Sequence, residues 1–178
     1  DLPEDWQLEL YTTYLHLLEI PPVYEPLDPG TVAFYTEATL EDALLSIPLA
    51  GPWAQRLARG ASLLPLAHAL APLQDKLGVL VWPQKPPLSA ASFWPDAVHI
   101  DGSHAAHTNR AADPPGSGYW LLAGPGRYSP EELKAFAQHL LDRAERGRES
   151  FVVFANTDSG KAIMDAGNLQ EAINRLMG

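Results

Sequence analysis

Three imidazoles and a carboxylate lie within nine residues of this chain, at His99, Asp101, His104 and His107. Neutral imidazole nitrogens and carboxylate oxygens are ligands for zinc or manganese, and such a metal with an open position activates water for hydrolysis. Neither His-Glu-x-x-His nor another strict metal spacing is present, so a plain polar loop after a strand is the alternative. The sequence therefore predicts a candidate divalent metal site at His99, Asp101 and His104.

Asn156 and Asp158 directly follow a short apolar run, where a strand is expected to end. At that end of a strand in an α/β protein, an amide can bind a ligand and a carboxylate can act as acid or base. The alternative is that they cap the next helix. We therefore predict Asn156 as ligand-binding and Asp158 as catalytic. Ser159-Gly160-Lys161 lacks the first glycine and the final Ser or Thr of a phosphate loop, which argues against nucleotide binding.

A second polar connection, 124–128, places a cation and a phenol next to two glycines and a proline. Arg127 and Tyr128 could hold an anionic ligand there, and the alternative is that the segment only connects a strand to a helix. No Gly-x-Ser-x-Gly segment is present, so the sequence contains no nucleophile elbow for a Ser-His-Asp triad.

The helix after this connection has clear start signals. Ser129 can cap it, Pro130 fits its first turn, and Glu131 and Glu132 lie at the positive end of its dipole. Its apolar face consists of residues at helical spacing: Leu133, Phe136, Ala137, Leu140, Leu141 and Ala144. Arginines at 143, 146 and 148 are expected to complement the dipole at its end. Phe151 to Ala155 is continuously apolar, which predicts a strand buried on both faces of a parallel sheet.

About six short strands alternate with helices along the chain. The expected strands are 18–20, 43–49, 78–82, 97–101, 119–123 and 151–155. Helices are expected at 5–18, at 53–73 with breaks at Pro65 and Pro72, and at 161–177 with a break at Gly167-Asn168; residues 31–37 fit a strand or a helical turn. This order favours βαβ crossovers and an α/β fold with a parallel sheet, open or curled into a barrel. A complete eightfold barrel typically needs about 250 residues, so 178 are few for one.

Composition narrows the possible classes of protein. A chain of 178 residues with 46% apolar content can bury a core, so we expect one domain over 1–178. A net charge of −10 with twelve Lys and Arg argues against a nucleic-acid partner. The absence of cysteine excludes disulfides and thiolate metal sites. No apolar run approaches the ~20 residues of a membrane span and no signal peptide is visible, so we expect no membrane association and a cytoplasmic location.

Four segments of the chain stand out together: Trp6 to Tyr24, Leu77 to Trp82 with Pro86-Pro87, Tyr119 to Leu133, and Phe151 to Leu169. They resemble the uncharacterised YecE-like family, also called domain of unknown function 72 (DUF72). The segments occur in the expected order and cover a little over a third of the chain. The resemblance implies a TIM-barrel-like (β/α) fold, here incomplete or irregular, with a mainly parallel sheet. It also places Glu19 and Tyr24 at matching positions, which predicts Glu19 as a catalytic carboxylate and Tyr24 as ligand-binding. A buried pair between Glu19 and Arg127 or Lys161 is the alternative for Glu19.

The chain departs from the family pattern mainly at the polar residues that end its strands. An Asn is replaced by Pro21, a Gln is lost or displaced to Gln84, and an Arg and a His are replaced by Leu121 and Ala123. The first Asn of a pair is replaced by Ala155. The resemblance therefore implies a divergent relative whose pocket has lost polar groups.

Two classes of function follow. The first is a non-catalytic YecE-like binding or scaffold domain, which predicts a pocket filled by Trp82, Leu121, Ala123 and Ala155. The alternative is a metal-dependent hydrolase-like enzyme for a phosphoester or sugar-type substrate, which requires Glu19, His99, Asp101 and a further ligand to converge; fold analogy is its main support.

Self-association is a third possibility. It requires an exposed apolar patch, for which Trp53, Phe93 and Trp94 with their neighbouring prolines are the candidates. A homodimer, a small molecule or a protein partner are the partners that the sequence leaves open.

Overall fold

The computed structural model describes residues 11, 15–25, 27–107, 109, 113–114, 116–123, 128–155 and 160–178. The chain forms two compact units, Asp1–Ser103 and His104–Gly178. Each unit has its own parallel sheet and its own hydrophobic core. The single domain predicted for residues 1–178 stays a prediction.

The first unit contains a sheet of four parallel strands, added in chain order. The strands are β1 (Leu17–Glu19), β2 (Leu44–Pro48), β3 (Leu77–Trp82) and β4 (Val98–Asp101). Sequential order is the winding of (β/α) barrels, whereas doubly wound folds reverse their strand order at one point. The predicted α/β class with a mainly parallel sheet is therefore confirmed, and among the described residues neither sheet closes into a barrel.

Helices of the first unit connect these strands. They are α1 (Pro29–Ala38), α2 (Gly51–Ala58), α3 (Leu64–Leu70) and α4 (Ala90–Phe93), with 3₁₀ turns at Ala71–Lys76 and Gly102–His104. The ambiguous segment 31–37 is helical, because Asp28 caps it. The expected breaks at Pro65 and Pro72 are confirmed: Pro65 lies in the first turn of α3 and Pro72 in the 3₁₀ turn after it.

The four-stranded sheet has two unlike faces. One face packs on the helices through apolar residues such as Ile47, Leu80 and Trp82. On the other, the register aligns Glu19 with Ser46, Ser46 with Val79, and Val79 with Val98. Because neighbouring residues in a strand point to opposite faces, this row shares one side, which we call the opposite face of the sheet. Ser46 and Val79 are fully buried there.

The second unit pairs β5 (Gly118–Leu122) with β6 (Ser150–Phe154) in parallel. Helices α5 (Pro130–Glu145) and α6 (Lys161–Met177) follow the two strands. The predicted start of α5 is confirmed as a capping box, in which Ser129 Oγ accepts from Glu132 N–H and Glu132 Oε2 accepts from Ser129 N–H.

Two predictions in this unit are wrong. Helix α6 runs through Gly167 without a break. A helical glycine costs about 1 kcal/mol, and the packing of Leu169, Ile173 and Leu176 on the core offsets that cost. Strand β6 is half-buried along its length and not buried on both faces.

Arg143 is fully buried at the amino ends of β5 and β6. Its guanidinium satisfies all five N–H donors. The acceptors are Asp113 Oδ1, the carbonyls of Pro114, Gly116 and Glu149, and Ser150 Oγ at 3.0 Å. The guanidinium carbon also lies 5.0 Å from the centre of the Trp120 ring. Arg143 therefore fixes the chain that leads into both strands, and it does more than complement the helix dipole.

No helix in the described part of the chain is long and apolar enough to cross a membrane.

Candidate functional site: a cleft at the end of strand β1

A cleft of about 250 Å³ opens in the first unit, just beyond the carboxyl end of β1. In parallel α/β proteins, ligands bind at this end of the strands. The lining residues are Ile20, Pro21, Pro22, Val23, Tyr24, Glu25, Leu27, Asp28, Thr31 and Tyr35. The cleft includes one residue predicted to bind a ligand, Tyr24.

The backbone beneath Tyr24 is fixed to β2. Ile20 N–H donates to the Ser46 carbonyl at 3.0 Å, and Val23 N–H donates to the Pro48 carbonyl at 2.8 Å. The Val23 carbonyl in turn accepts from Ala50 N–H at 2.8 Å. The two intervening prolines have no N–H to satisfy, so the segment stays close to the sheet without further partners. The floor of the cleft is thereby held in place.

Helix α1 forms one wall and is fixed at both ends. Asp28 Oδ1 accepts from Gly30 N–H at 2.9 Å and Thr31 N–H at 3.0 Å, and its Oδ2 accepts from the Thr31 hydroxyl. At the other end, Lys76 Nζ donates to the carbonyls of Thr36 at 2.6 Å and Thr39 at 2.8 Å. The hydrogen bonds from Thr31 lower the pKa of Asp28, so this carboxylate carries its charge at neutral pH.

Tyr24 itself is 62% exposed, and its ring lies over Gly51 at the start of α2. Gly51 has φ +73°, and a Cβ there would lie 3.2 Å from Tyr24 Cδ1. A side chain at residue 51 would strain the backbone and push the ring away. The glycine therefore allows the phenol to lie at the mouth of the cleft.

Glu19, the predicted catalytic carboxylate, is half-buried at the end of β1. It lies on the opposite face of the sheet beside Ser46 and is not part of the described lining of the cleft. Glu19 and Tyr24 therefore belong to different surfaces of the first unit. The catalytic role of Glu19 stays a prediction.

His99 lies between two tryptophans on the helix-covered face. Trp82 Nε1–H donates to His99 Nδ1 at 3.2 Å, and His99 Nε2 lies 3.2 Å from the Trp94 carbonyl. Since an indole only donates and a carbonyl only accepts, His99 is the neutral tautomer with its proton on Nε2. Burial lowers the pKa of His99, and the Trp94 carbonyl only partly counteracts this. Both ring nitrogens are engaged, which leaves neither for a metal in this conformation.

The residues predicted to hold a metal do not converge with Glu19. His99 and Asp101 share the face of Trp82, whereas Glu19 shares the face of Ser46. Asp101 Oδ1 accepts from the backbone and hydroxyl of Ser103 at 3.0 and 2.6 Å, which starts the 3₁₀ turn that His104 ends. In the described ranges, no three His, Asp or Glu side chains gather as a metal site. Metal binding by His99, Asp101 and His104 stays a prediction.

In the second unit, Arg127, Asn156 and Asp158 lie outside the described residues, so their predicted roles stay predictions. Tyr128 is half-buried, and its ring meets the Phe154 ring edge-on at 5.7 Å between centres. Its backbone N–H lies 3.4 Å from Oδ2 of Asp165, a fully buried carboxylate on α6.

Sequence reasoning missed Asp165, although a signal existed. Residues 165, 169, 172 and 176 recur at helical spacing, and the last three pack on the core. An acid on the apolar stripe of a helix is uncommon and marks a buried polar group.

In the second sheet, Trp120 and Leu122 belong to the core, Val152 and Phe154 pack against it, and the other side of the sheet is its opposite face. The side chains of the described strands on that face are all aromatic or aliphatic. The register aligns Tyr119 with Phe151 and Leu121 with Val153. Ala123 and Ala155 follow the two strands and are exposed. Trp82 is buried and Leu121 half-buried, whereas Ala123 and Ala155 are exposed, and the expectation that these four residues fill one pocket stays a prediction.

The aromatic patch predicted for self-association is smaller than expected. Trp94 is buried and Trp53 half-buried against the core, and only Phe93 is exposed, at 37%. Leu88, on the same connection after β3, is 95% exposed.

The fold and this geometry define a class: an α/β protein with sequentially wound parallel strands and a candidate site beyond their carboxyl ends. Two solved crystal structures of a DUF72 family protein from Enterococcus faecalis V583 match it. One has a TM-score of 0.65 and 15% identity, covering 95% of this chain and 94% of that one. The other has a TM-score of 0.65 and 14% identity, covering 94% and 88%.

At this level of identity the likeness shows the fold, and it confirms the resemblance to DUF72 proteins that the sequence motifs indicated. No protein-family model matches the sequence, and no curated protein matches it either.

Proposed function

We propose that this chain is a divergent YecE-like domain that binds a small molecule at the Tyr24 cleft and does not catalyse a reaction. The single observation that carries the proposal is that the opposite face of β5 and β6 carries only aromatic and aliphatic side chains. Leu121 and Val153 occupy the last aligned position on that face of the strands, and Ala123 and Ala155 follow the strands. A catalytic pocket needs acids, bases or polar groups that stabilise charge, and aliphatic side chains supply none.

Binding is favoured over a purely structural role because the Tyr24 cleft presents the exposed side chains of Tyr24 and Glu25, although Ile20 and Val23 of its lining belong to the core. Its floor is hydrogen-bonded to β2, its wall is capped by Asp28, and Gly51 leaves room for the Tyr24 ring. An exposed tyrosine over a fixed concave surface is typical of ligand recognition, because the ring offers a large apolar face and a polar tip.

The metal-dependent hydrolase is the less favoured reading. It needs Glu19 together with His99 and Asp101, and these residues lie on different faces of one sheet. His99 would also have to give up two hydrogen bonds to bind a metal.

The test is to screen compounds by amide chemical shifts in the full chain and to recover each compound afterwards for mass spectrometry. We expect hits to shift residues 20–31 and to be recovered chemically unchanged. Glu19→Gln should leave binding intact, because Glu19 does not line the cleft. Turnover of a hit that is lost in Glu19→Gln would overturn the proposal.

We also propose that the protein is located in the cytoplasm and that it forms a homodimer. The exposed Leu88 and Phe93 support self-association. Light scattering after size exclusion tests it: a clean monomer at high concentration rules out the dimer.

A further inference from the structure

Apart from Thr31, the described lining of the Tyr24 cleft consists of three kinds of group. Ile20, Pro21, Pro22, Val23 and Leu27 make the apolar surface, Tyr24 and Tyr35 contribute phenol rings, and Glu25 and Asp28 contribute carboxylates. Aromatic faces attract cations through their negative quadrupole, and carboxylates attract the same ligands by charge. The rings and the carboxylates of this open cleft therefore favour the same class of ligand.

Anionic ligands are disfavoured at this cleft. The described lining contains no Lys, Arg or His. The amino end of a helix is the usual place for a bound anion, but at α1 the carboxylate of Asp28 already accepts the N–H groups of Gly30 and Thr31. A net charge of −10 adds repulsion at longer range. A phosphoester or a carboxylate would therefore meet negative charge without a compensating cation.

The size of the cleft limits the ligand further. A volume of about 250 Å³ equals roughly eight water molecules of ~30 Å³ each, and it is below the range of most drug-sized pockets. The ligand, or the part of it that enters, is therefore small.

From these three points we propose that the Tyr24 cleft binds a small organic cation, an alkylamine or a quaternary ammonium compound, with the cationic group between the Tyr24 ring and the Glu25 carboxylate. The inference rests on the proposed function and names its ligand class.

Choline and putrescine are the probes for the test, titrated into the full chain and followed by amide chemical shifts. Sodium chloride at equal ionic strength controls for general charge effects, and glycerol and citrate serve as neutral and anionic compounds of similar size. We expect saturable shifts at residues 20–31 with a cation and none with citrate.

Matched variants locate the site. Tyr24→Leu should weaken binding of the cation about two- to fivefold, whereas Tyr24→Phe, which keeps the ring, should not. Glu25→Gln should weaken it by up to about fivefold, and Glu37→Gln, an exposed acid of α1 outside the cleft, should leave it unchanged. Tyr24 and Glu25 are both exposed, so these variants are expected to fold.

The outcomes distinguish a failure of this inference from a failure of the proposed binding function. If glycerol or citrate binds the cleft and the cations do not, the cation class is wrong and a binding function stands. If cation binding is equal in Tyr24→Leu, Glu25→Gln and wild type, the assigned site is wrong. If no compound of any charge shifts residues 20–31, the inference and the proposed binding function both fail.

Discussion

The opposite faces of the two sheets differ in whether they carry polar side chains. In the first unit, Glu19 and the buried Ser46 are neighbours there, at the end of the sheet next to the cleft. In the second unit, Leu121 and Val153 occupy the equivalent end, and the buried cation Arg143 lies at the amino ends of the strands. In barrel-type folds the carboxyl ends carry function and the amino ends carry stability. The comparison therefore contrasts polar strand ends in the first unit with a buried structural arginine in the second.

The largest expected effect tests the structural role of Arg143. Arg143→Leu removes a guanidinium that makes five hydrogen bonds and leaves the buried Pro114 carbonyl without this donor. We expect the free energy of unfolding in urea to fall by about 3–5 kcal/mol. Arg146→Leu, an exposed arginine of the same helix end, should change it by less than about 0.5 kcal/mol. Equal effects of the two changes would mean that Arg143 is not a structural residue.

A second prediction probes the apolar face of β5 and β6. Leu121→Arg and Ala123→His put back the residue types that the family resemblance implies. Leu121→Arg would place a charge on a half-buried apolar row and should lower the free energy of unfolding by about 1–3 kcal/mol. Ala123→His lies at an exposed position and should lower it by less than about 0.5 kcal/mol. Urea denaturation measures both. Full tolerance of Leu121→Arg would show that this face is not a packed apolar layer, and the contrast between the units would be lost.

The third prediction concerns the glycine beneath Tyr24. Gly51→Ala should destabilise the chain by about 1–2 kcal/mol, because φ is +73° there, and should weaken ligand binding because a Cβ would displace the Tyr24 ring. Gly147→Ala is a matched control, with φ +70° and open space around it. It should show the backbone strain without the loss of binding. Unchanged binding in Gly51→Ala would mean that the position of the Tyr24 ring is unimportant.

The smallest predicted effect is a pH dependence that comes from His99. Burial lowers its pKa in the folded chain below the ordinary value of 6.5, so the unfolded chain takes up a proton first as the pH falls. The contribution of neutral His99 to the free energy of unfolding is therefore complete above about pH 6.5. It is lost as the pH falls through the lower pKa of the folded chain. Protonation also removes the acceptor of the Trp82 indole, a hydrogen bond with a net contribution of about 1 kcal/mol.

Thermal unfolding of wild type and His99→Gln between pH 5 and 8 measures this dependence. The melting temperature of wild type should fall more steeply below pH 6.5 than that of His99→Gln. His68→Gln, an exposed histidine of α3, should follow the wild-type curve. Parallel curves for wild type and His99→Gln would refute the assignment of a neutral, buried His99.

Sequence reasoning predicted the secondary structure better than it predicted the site. All six strands were expected within one or two residues, because their apolar runs are continuous and bounded by Pro, Gly or polar residues. The break expected at Gly167 was wrong, since packing of α6 on the core outweighs the propensity of one glycine. Among the site residues, Tyr24 lines a cleft, but His99 supports two tryptophans.

By itself, the sequence determined the elements and the α/β class, because capping, periodicity and composition are local properties. Only the tertiary structure decided which side chains share a surface. The register of the strands places Glu19 and His99 on opposite faces of one sheet, although both lie near strand ends. It also buries Arg143, which its charge and its position at a helix end would leave at the surface. Convergence of side chains depends on register and packing between distant segments, and one sequence read without a structure does not contain either.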